Sequence, residues 1–115
     1  MRLTAAILCL LLAACSGERP GLDGDPERGR QLLRQFGCGA CHRIPGVADA
    51  QGNVGPPLDG VAKRVYLGGV LPNSRESMAR WIRTPKAFDP QTAMPNLGVS
   101  EEHARDMVAY LHTLR

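Results

Sequence analysis

Apolar residues recur at helical spacing in three stretches of the chain. The first begins at Asp25-Pro26-Glu27, which combines an N-cap residue, a proline at the first helical position and an acid in the first turn. It places Leu32, Leu33 and Phe36 on one face and reaches Gly37, a residue typical of helix ends. The pattern predicts an amphipathic helix that runs to about Phe36.

The second and third stretches also carry start signals. Asn73 to Glu76 has the spacing of a capping box, and the helix that follows carries Met78, Trp81 and Ile82 before it ends ahead of Pro85. Ser100-Glu101-Glu102 begins the last helix. The apolar residues on its inner face are Ala104, Met107, Val108, Leu111 and Leu114.

Loops are predicted between these helices. Residues 44–60 and 67–73 are rich in Gly and Pro, and a short helical stretch is expected near Val61 to Tyr66. Residues 84–98 contain three prolines, which argue against regular helix or central strand. No strand is predicted, so the fold class is all-α with long loops.

The amino terminus has the features of an export signal. An apolar run from Leu3 to Ala14 is too short to cross a bilayer and has the length of a signal-peptide core. It leads into Cys15 as the sequence LAAC, which resembles a bacterial lipobox, with simple cleavage near Ala14 as the alternative. The polar segment that follows is expected to be a flexible tether. The predicted division is a signal peptide at 1–14, a lipidated Cys15 with its tether at 15–25, and a folded domain at 26–115.

Composition narrows the domain and its chemistry. The chain has 115 residues, enough for one domain, and only 4% are aromatic. A domain this small buries limited surface, so a group other than aromatic side chains is expected to fill its centre. The formal net charge of +3 is too mild to indicate a nucleic-acid partner.

Two cysteines remain in the predicted domain, in the motif Cys38-Gly39-Ala40-Cys41-His42. A disulfide between them would close a very short loop and remove little unfolded-state entropy. Zinc usually takes four ligands, which is more than this motif supplies. A redox dithiol would be expected in a βαβ context, whereas the predicted fold is all-α. Cys-x-x-Cys-His is instead typical of covalent haem attachment, in which both thiols add to the vinyl groups while the imidazole reaches the iron.

From about Asp25 to Arg115 the chain resembles the class I cytochromes c. The stretches that carry the resemblance are GRQLLRQFGCGACH, GPPLDG, WIRTPKAFDPQTAMP and MVAYLHTL. It is similar to small bacterial cytochromes and to the cytochrome domain fused to some haem–copper oxidase subunits II. The resemblance implies three main helices plus a short one, with long loops wrapped around one covalent haem c held by Cys38 and Cys41.

The axial ligands of the iron follow from the motif and the resemblance. His42 is the expected proximal ligand. Met78 and Met107 lie at helical spacing with apolar residues and are expected in the core, while His103 and His112 are expected on the exposed side of the last helix. Met94 lies in an irregular segment before Pro95, where the family has its distal ligand.

The resemblance also implies roles around the haem. Pro56 matches the proline whose carbonyl accepts a hydrogen bond from the proximal histidine, and Trp81 and Thr92 match positions near the methionine side. For Trp81, plain core packing is an alternative. Gly29 and Tyr110 match the close crossing of the first and last helices.

The function expected is that of a monomeric, membrane-anchored electron carrier and not an enzyme. It would pass single electrons between a donor dehydrogenase or cytochrome complex and an acceptor oxidase or reductase, at the periplasmic side of a bacterial membrane. Whether that membrane is inner or outer is open. The alternatives are a fixed subunit of an oxidoreductase complex and a haem-based gas or redox sensor.

Overall fold

A computed structural model describes residues 23–115, and the predicted signal peptide and Cys15 lie outside that range. Four α-helices dominate: α1 (Pro26–Gln35), α2 (Arg75–Arg83), α3 (Pro85–Phe88) and α4 (Glu101–Leu111). Two 3₁₀ turns, Cys38–Ala40 and Val61–Lys63, and a two-stranded sheet complete the described elements. Within the described residues, no helix is long and apolar enough to cross a membrane.

Helix α1 begins and ends where the sequence predicts. The Asp25 carboxylate accepts hydrogen bonds from the backbone N–H groups of Glu27 and Arg28, which satisfies two donors of the first turn. At the other end Phe36 is the C-cap, and Gly37 follows with a φ of 73°, a left-handed conformation that glycine adopts without strain. The helix therefore stops directly before the cysteine motif.

Serine caps begin both α2 and α4. Ser74 Oγ accepts from the Ser77 N–H, and Ser100 Oγ accepts from the His103 N–H. Asn73, the first residue of the predicted capping box, has another role, since its amide group donates to the carbonyls of Val61 and Arg64. It thereby joins the start of α2 to the loop that precedes it.

The core lies where α1 and α2 pack against α4. At Gly29 the backbones of α1 and α4 come so close that a Cβ would overlap the Asp106 carbonyl and lie 2.9 Å from the Met107 nitrogen. This confirms the predicted crossing at Gly29. The buried apolar side chains of α1, α2 and α4 that form the centre are Leu32, Leu33, Met78, Ile82, Ala104, Met107, Val108 and Leu111.

One charged side chain is buried at this crossing. Asp106 is 1% exposed, and its Oδ1 accepts a hydrogen bond of 2.8 Å from the Asp25 N–H. Its Oδ2 lies 3.4 Å from Nε of Arg28, so a positive charge compensates the buried carboxylate. Asp106 thus ties the first turn of α1 to α4.

The prediction that the chain has no strand is wrong. Strands β1 (Tyr66–Leu67) and β2 (Leu71–Pro72) pair antiparallel, with Leu67 opposite Leu71. Gly68 and Gly69 both have positive φ, at 54° and 73°, which lets the chain reverse between the strands. Of the residues expected to form a short helix near Val61 to Tyr66, Val61–Lys63 form a 3₁₀ turn, residues 64 and 65 are irregular, and Tyr66 begins β1.

The prediction that residues 84–98 contain no regular helix is also wrong. Helix α3 spans four residues and starts with Pro85, which is tolerated at a first helical position because that nitrogen needs no intrahelical partner. The guanidinium of Arg80 lies 5.0 Å from the centre of the Phe88 ring and links α3 to α2. The other two prolines of the segment, Pro90 and Pro95, lie in irregular backbone as expected.

Candidate functional site

The cysteine motif is fixed by backbone hydrogen bonds to a returning loop. Cys38–Ala40 forms a 3₁₀ turn, and the His42 N–H donates to the Cys38 carbonyl at 3.0 Å. The N–H of Gly52 donates to the Gly39 carbonyl at 3.0 Å, and that of Gly55 donates to the Cys41 carbonyl at 2.8 Å. Residues 52–56 therefore run alongside the motif.

This loop places a carbonyl against the His42 ring. Nδ1 of His42 lies 2.7 Å from the Pro56 carbonyl oxygen. Because a carbonyl can only accept, Nδ1 carries the proton and Nε2 keeps a free lone pair. The ring is thus held in the tautomer that can bind a metal through Nε2, and the bond also increases the basicity of that nitrogen.

Gly55 is required by the same contact. A Cβ at this position would overlap Cε1 of the His42 ring and lie 2.8 Å from Nδ1 and 2.9 Å from Nε2. Any larger residue would push the imidazole away from the Pro56 carbonyl. No motif in the sequence indicates this contact, although Gly55 directly precedes Pro56.

Cys38 and Cys41 are free and half-buried, so both thiols are available for a covalent attachment. Burial raises the pKa of the Cys38 thiol, and the nearby Cys41 acts in the same direction. Cys38 is accordingly a neutral thiol near pH 7. Its side chain packs against the hydrophobic core.

Met94 lies in a loop after α3 that hydrogen bonds hold in place. Its N–H donates to Thr92 Oγ1 at 3.2 Å, and the Thr92 N–H donates to the Asp89 carbonyl at 3.1 Å. The Lys86 ammonium donates to the Thr92 carbonyl at 2.9 Å. Thr92 therefore supports the backbone on which Met94 is presented.

Burial separates the candidate methionines as predicted. Met78 is 2% exposed and Met107 is fully buried, and both belong to the central hydrophobic cluster. Met94 is half-buried and does not belong to that cluster. Its thioether is the one that core packing does not account for.

The prediction that the two histidines of the last helix face solvent is wrong. His103 is half-buried and meets the Phe36 ring edge-on, with 6.0 Å between ring centres. His112 is also half-buried, and its Nε2 has no hydrogen-bond partner within the described part of the chain. Burial and the charges of Arg75 and Arg115 lower the pKa of His112, which keeps the ring neutral. At His103, the packing of α4 against the end of α1 therefore reaches beyond the apolar stripe of α4.

Trp81 projects from α2 towards the sheet rather than into the central cluster. It is half-buried, and a Cβ on Gly68 would lie 2.5 Å from its six-membered ring. The Trp81 side chain is not part of the hydrophobic cluster that contains its neighbours Met78 and Ile82. Plain core packing therefore does not account for Trp81.

The segments that carry the predicted site residues also expose large apolar side chains. Val54 is 70% exposed beside Gly55, and Val65 and Tyr66 are 75% and 59% exposed at the hairpin that contacts Trp81. Leu97 is exposed in the Met94 loop. A large apolar group would cover such surface, and two thiols with an adjacent imidazole are the donor set for covalent haem. These residues fit haem c.

The described structure brings some of the predicted residues together directly. His42 contacts Pro56, and Met94 contacts Thr92. No hydrogen bond among the described residues joins these two pairs, so the pairing of His42 with Met94 across one iron stays a prediction. Sequence reasoning missed the roles of Gly55 and Lys86, because neither contact follows from a motif.

Comparisons with known proteins find similar sequences. The family model described as Cytochrome c matches residues 26–115. Cytochrome c-552 of Bradyrhizobium diazoefficiens is 31% identical over 109 residues, which cover 94% of this chain and 92% of that protein. Cytochrome c oxidase subunit 2 of Alkalihalophilus pseudofirmus is 32% identical over 90 residues, or 77% of this chain, but this chain spans only 25% of that protein.

Solved structures share the fold. SoxXA from P. pantotrophus superposes with a TM-score of 0.64 at 22% identity, covering 82% of this chain and 84% of that one. Cytochrome c2 from Rhodobacter sphaeroides superposes with a TM-score of 0.56 at 21% identity, covering 79% and 96%. At these identities the likeness concerns the fold alone.

Proposed function

The chain belongs to the cytochrome c family, and we propose that it is a membrane-anchored carrier of single electrons between a respiratory donor and a terminal acceptor. Its electron-transport role, its class I fold and its one covalently bound haem c follow from the family. The anchor, the iron ligands and the nature of the partners are proposals. The hydrogen bond between His42 and Pro56 carries the assignment of the site.

Cys38 and Cys41 are proposed to hold the haem covalently, and His42 to bind its iron. When bound, haem c supplies a one-electron couple between Fe(III) and Fe(II). The Pro56 carbonyl keeps Nδ1 of His42 protonated, which directs Nε2 to the metal. Gly55 leaves the imidazole room to adopt that orientation.

Met94 is proposed as the distal ligand, with Trp81 and Thr92 beside it. A thioether favours Fe(II) more than a second imidazole would, and so raises the reduction potential. A protein ligand on both faces of the haem leaves no open position for oxygen or peroxide chemistry. This arrangement suits an electron carrier better than a sensor or an oxygen-activating enzyme.

Replacing both Cys38 and Cys41 with serine should abolish covalent haem attachment, because serine hydroxyls do not form the thioether bonds. The measurement is haem staining of the denatured protein on a gel, where only covalently held haem migrates with the chain. Ala40→Ser, which changes an exposed residue of the same turn, should retain full staining. Staining of the double variant at the wild-type level would contradict the attachment.

The proposed anchor is a lipid on Cys15, with the segment to Asp25 as a tether of roughly 35 Å when fully extended. Such a tether would let the haem domain reach redox partners above the membrane while staying bound to it. Stable membrane attachment requires more than one short acyl chain, which a multiply acylated cysteine provides. The support for this proposal is the LAAC sequence that precedes the polar segment.

Cys15→Ser should eliminate fatty-acid incorporation, because the acylated side chain and the new amino terminus are both lost. Cells are grown with a labelled fatty acid, and the label on the purified cytochrome is measured. Cys9→Ser is the matched control, since Cys9 lies inside the predicted signal and its loss should leave the label unchanged. A wild-type protein without label, or a labelled Cys15→Ser variant, would rule out the anchor.

A further inference from the structure

The loop that carries Met94 needs support from outside the hydrophobic core. Met94 is half-buried and lies outside the central cluster, and the exposed residues around it include Pro95 and Leu97. Apolar packing therefore contributes little to fixing the Met94 backbone. Hydrogen bonds from neighbouring elements must do more of that work.

The side chain of Lys86 supplies one such bond on the amino-terminal side of Met94. Its Nζ donates to the Thr92 carbonyl at 2.9 Å, two residues before Met94. A charged donor at this distance makes a stronger bond than a neutral one. The same Thr92 accepts from the Met94 N–H through its hydroxyl, so the bond acts on the residue that directly supports Met94.

The main chain of Lys86 reaches the other side of the same loop. The Lys86 N–H is 3.5 Å from Oδ1 of Asn96, two residues after Met94. This contact is long and therefore weaker than the side-chain bond. Lys86 nonetheless brackets Met94, with one contact on each side of it.

Lys86 lies in a short helix that is itself held in place. It is the second residue of α3, whose first residue, Pro85, is buried. The Asp89 N–H donates to the Pro85 carbonyl at 3.0 Å and closes the helix. After α3, the Thr92 N–H donates to the Asp89 carbonyl, and the Thr92 carbonyl accepts from the Lys86 ammonium. Thr92 is therefore tied to α3 and its C-cap at two points.

We propose that Lys86 is a positioning residue that keeps Met94 on the iron by holding the Thr92 carbonyl. The inference rests on the proposed function of Met94 as distal ligand. Without the bond, the loop should open more often and let an added ligand compete for the iron. If the open fraction rises about tenfold, the apparent affinity for that ligand rises by the same factor.

The test compares three variants of the haem-loaded full-length protein with the wild type. Lys86→Ala removes the ammonium, Lys86→Arg keeps a charged donor, and Lys63→Ala removes an exposed lysine elsewhere. Imidazole affinity of the ferric protein is measured by absorption titration, together with the iron–thioether absorption band. Circular dichroism checks that each variant is folded.

Lys86→Ala is expected to bind imidazole about tenfold more tightly, while Lys86→Arg and Lys63→Ala stay within about twofold of the wild type. Equal affinities in Lys86→Ala and Lys63→Ala, with the thioether band present in both, would overturn the positioning role alone. Absence of that band from the wild type would instead overturn the ligand assignment of Met94 and this inference with it. Asn96→Ala provides a second reading, with a smaller increase expected from its weaker contact.

Discussion

Met94→Ala should convert the reduced protein from a poor to a strong binder of carbon monoxide. If Met94 occupies the distal position in about 99% of molecules, its removal raises the apparent affinity about 100-fold. The reduction potential should fall as well, because the thioether that favours Fe(II) is gone. Carbon monoxide titration and a redox titration measure the two effects on the same sample.

The control for this variant is Met78→Leu. Met78 is 2% exposed in the core. Because leucine conserves its volume, the free energy of unfolding should change by less than about 1.5 kcal/mol. Its carbon monoxide affinity should match that of the wild type. Tight binding by the unaltered protein would favour a gas sensor over an electron carrier, and equal weak binding by Met94→Ala would exclude Met94 as the ligand.

Gly29→Ala should destabilise the folded protein by about 3 kcal/mol, which is near the upper end of the usual cost of inserting a methyl group into a packed core. A Cβ at Gly29 overlaps the Asp106 carbonyl, which belongs to the backbone of α4 and cannot rotate away as a side chain would. The two helices must separate, and the buried Asp106 would then lose its hydrogen bond from the Asp25 N–H and its ion pair with Arg28. The higher helix propensity of alanine offsets about 1 kcal/mol at most.

Guanidinium denaturation of the haem-loaded protein measures this loss. Gln31→Ala introduces the same residue on the exposed face of α1 and should stay within about 0.5 kcal/mol of the wild type. A stability of Gly29→Ala within that same range would show that the crossing can widen without cost. The denaturant slope should be unchanged in both variants, since neither alters the surface exposed on unfolding much.

Local signals in the sequence predicted the helices well. Asp25 and Ser100 cap the helices that they are predicted to begin, and each accepts from an N–H within three residues. The start of α2 is displaced by one residue, because Ser74 is its cap and not Asn73. The identification of the cysteine motif is equally local, because both thiols and the imidazole lie within five consecutive residues. The family comparison confirms covalent haem c, while the axial role of Met94 stays a prediction.

The errors arose where neighbours distant in sequence decide the outcome. The position of His103 on α4 predicts an exposed side chain, yet the end of α1 brings Phe36 against it. The strands β1 and β2 are two residues each, too short for an alternating pattern to be visible. The three prolines of residues 84–98 predict irregular backbone, whereas Pro85 at the first position of α3 is compatible with helix.

The sequence by itself determined the three longer helices, the covalent cysteine motif and the family, since all of these depend on residue identity and short spacing. Only the tertiary structure decided how the site is supported. The resemblance implies the hydrogen bond between the Pro56 carbonyl and His42, but only the fold shows that residues 52–56 return along the motif and that the His42 ring leaves no room for a side chain at Gly55. The fold also places Lys86 against the Thr92 carbonyl. Contacts of this kind depend on distances between backbone segments, which packing sets and local sequence does not encode.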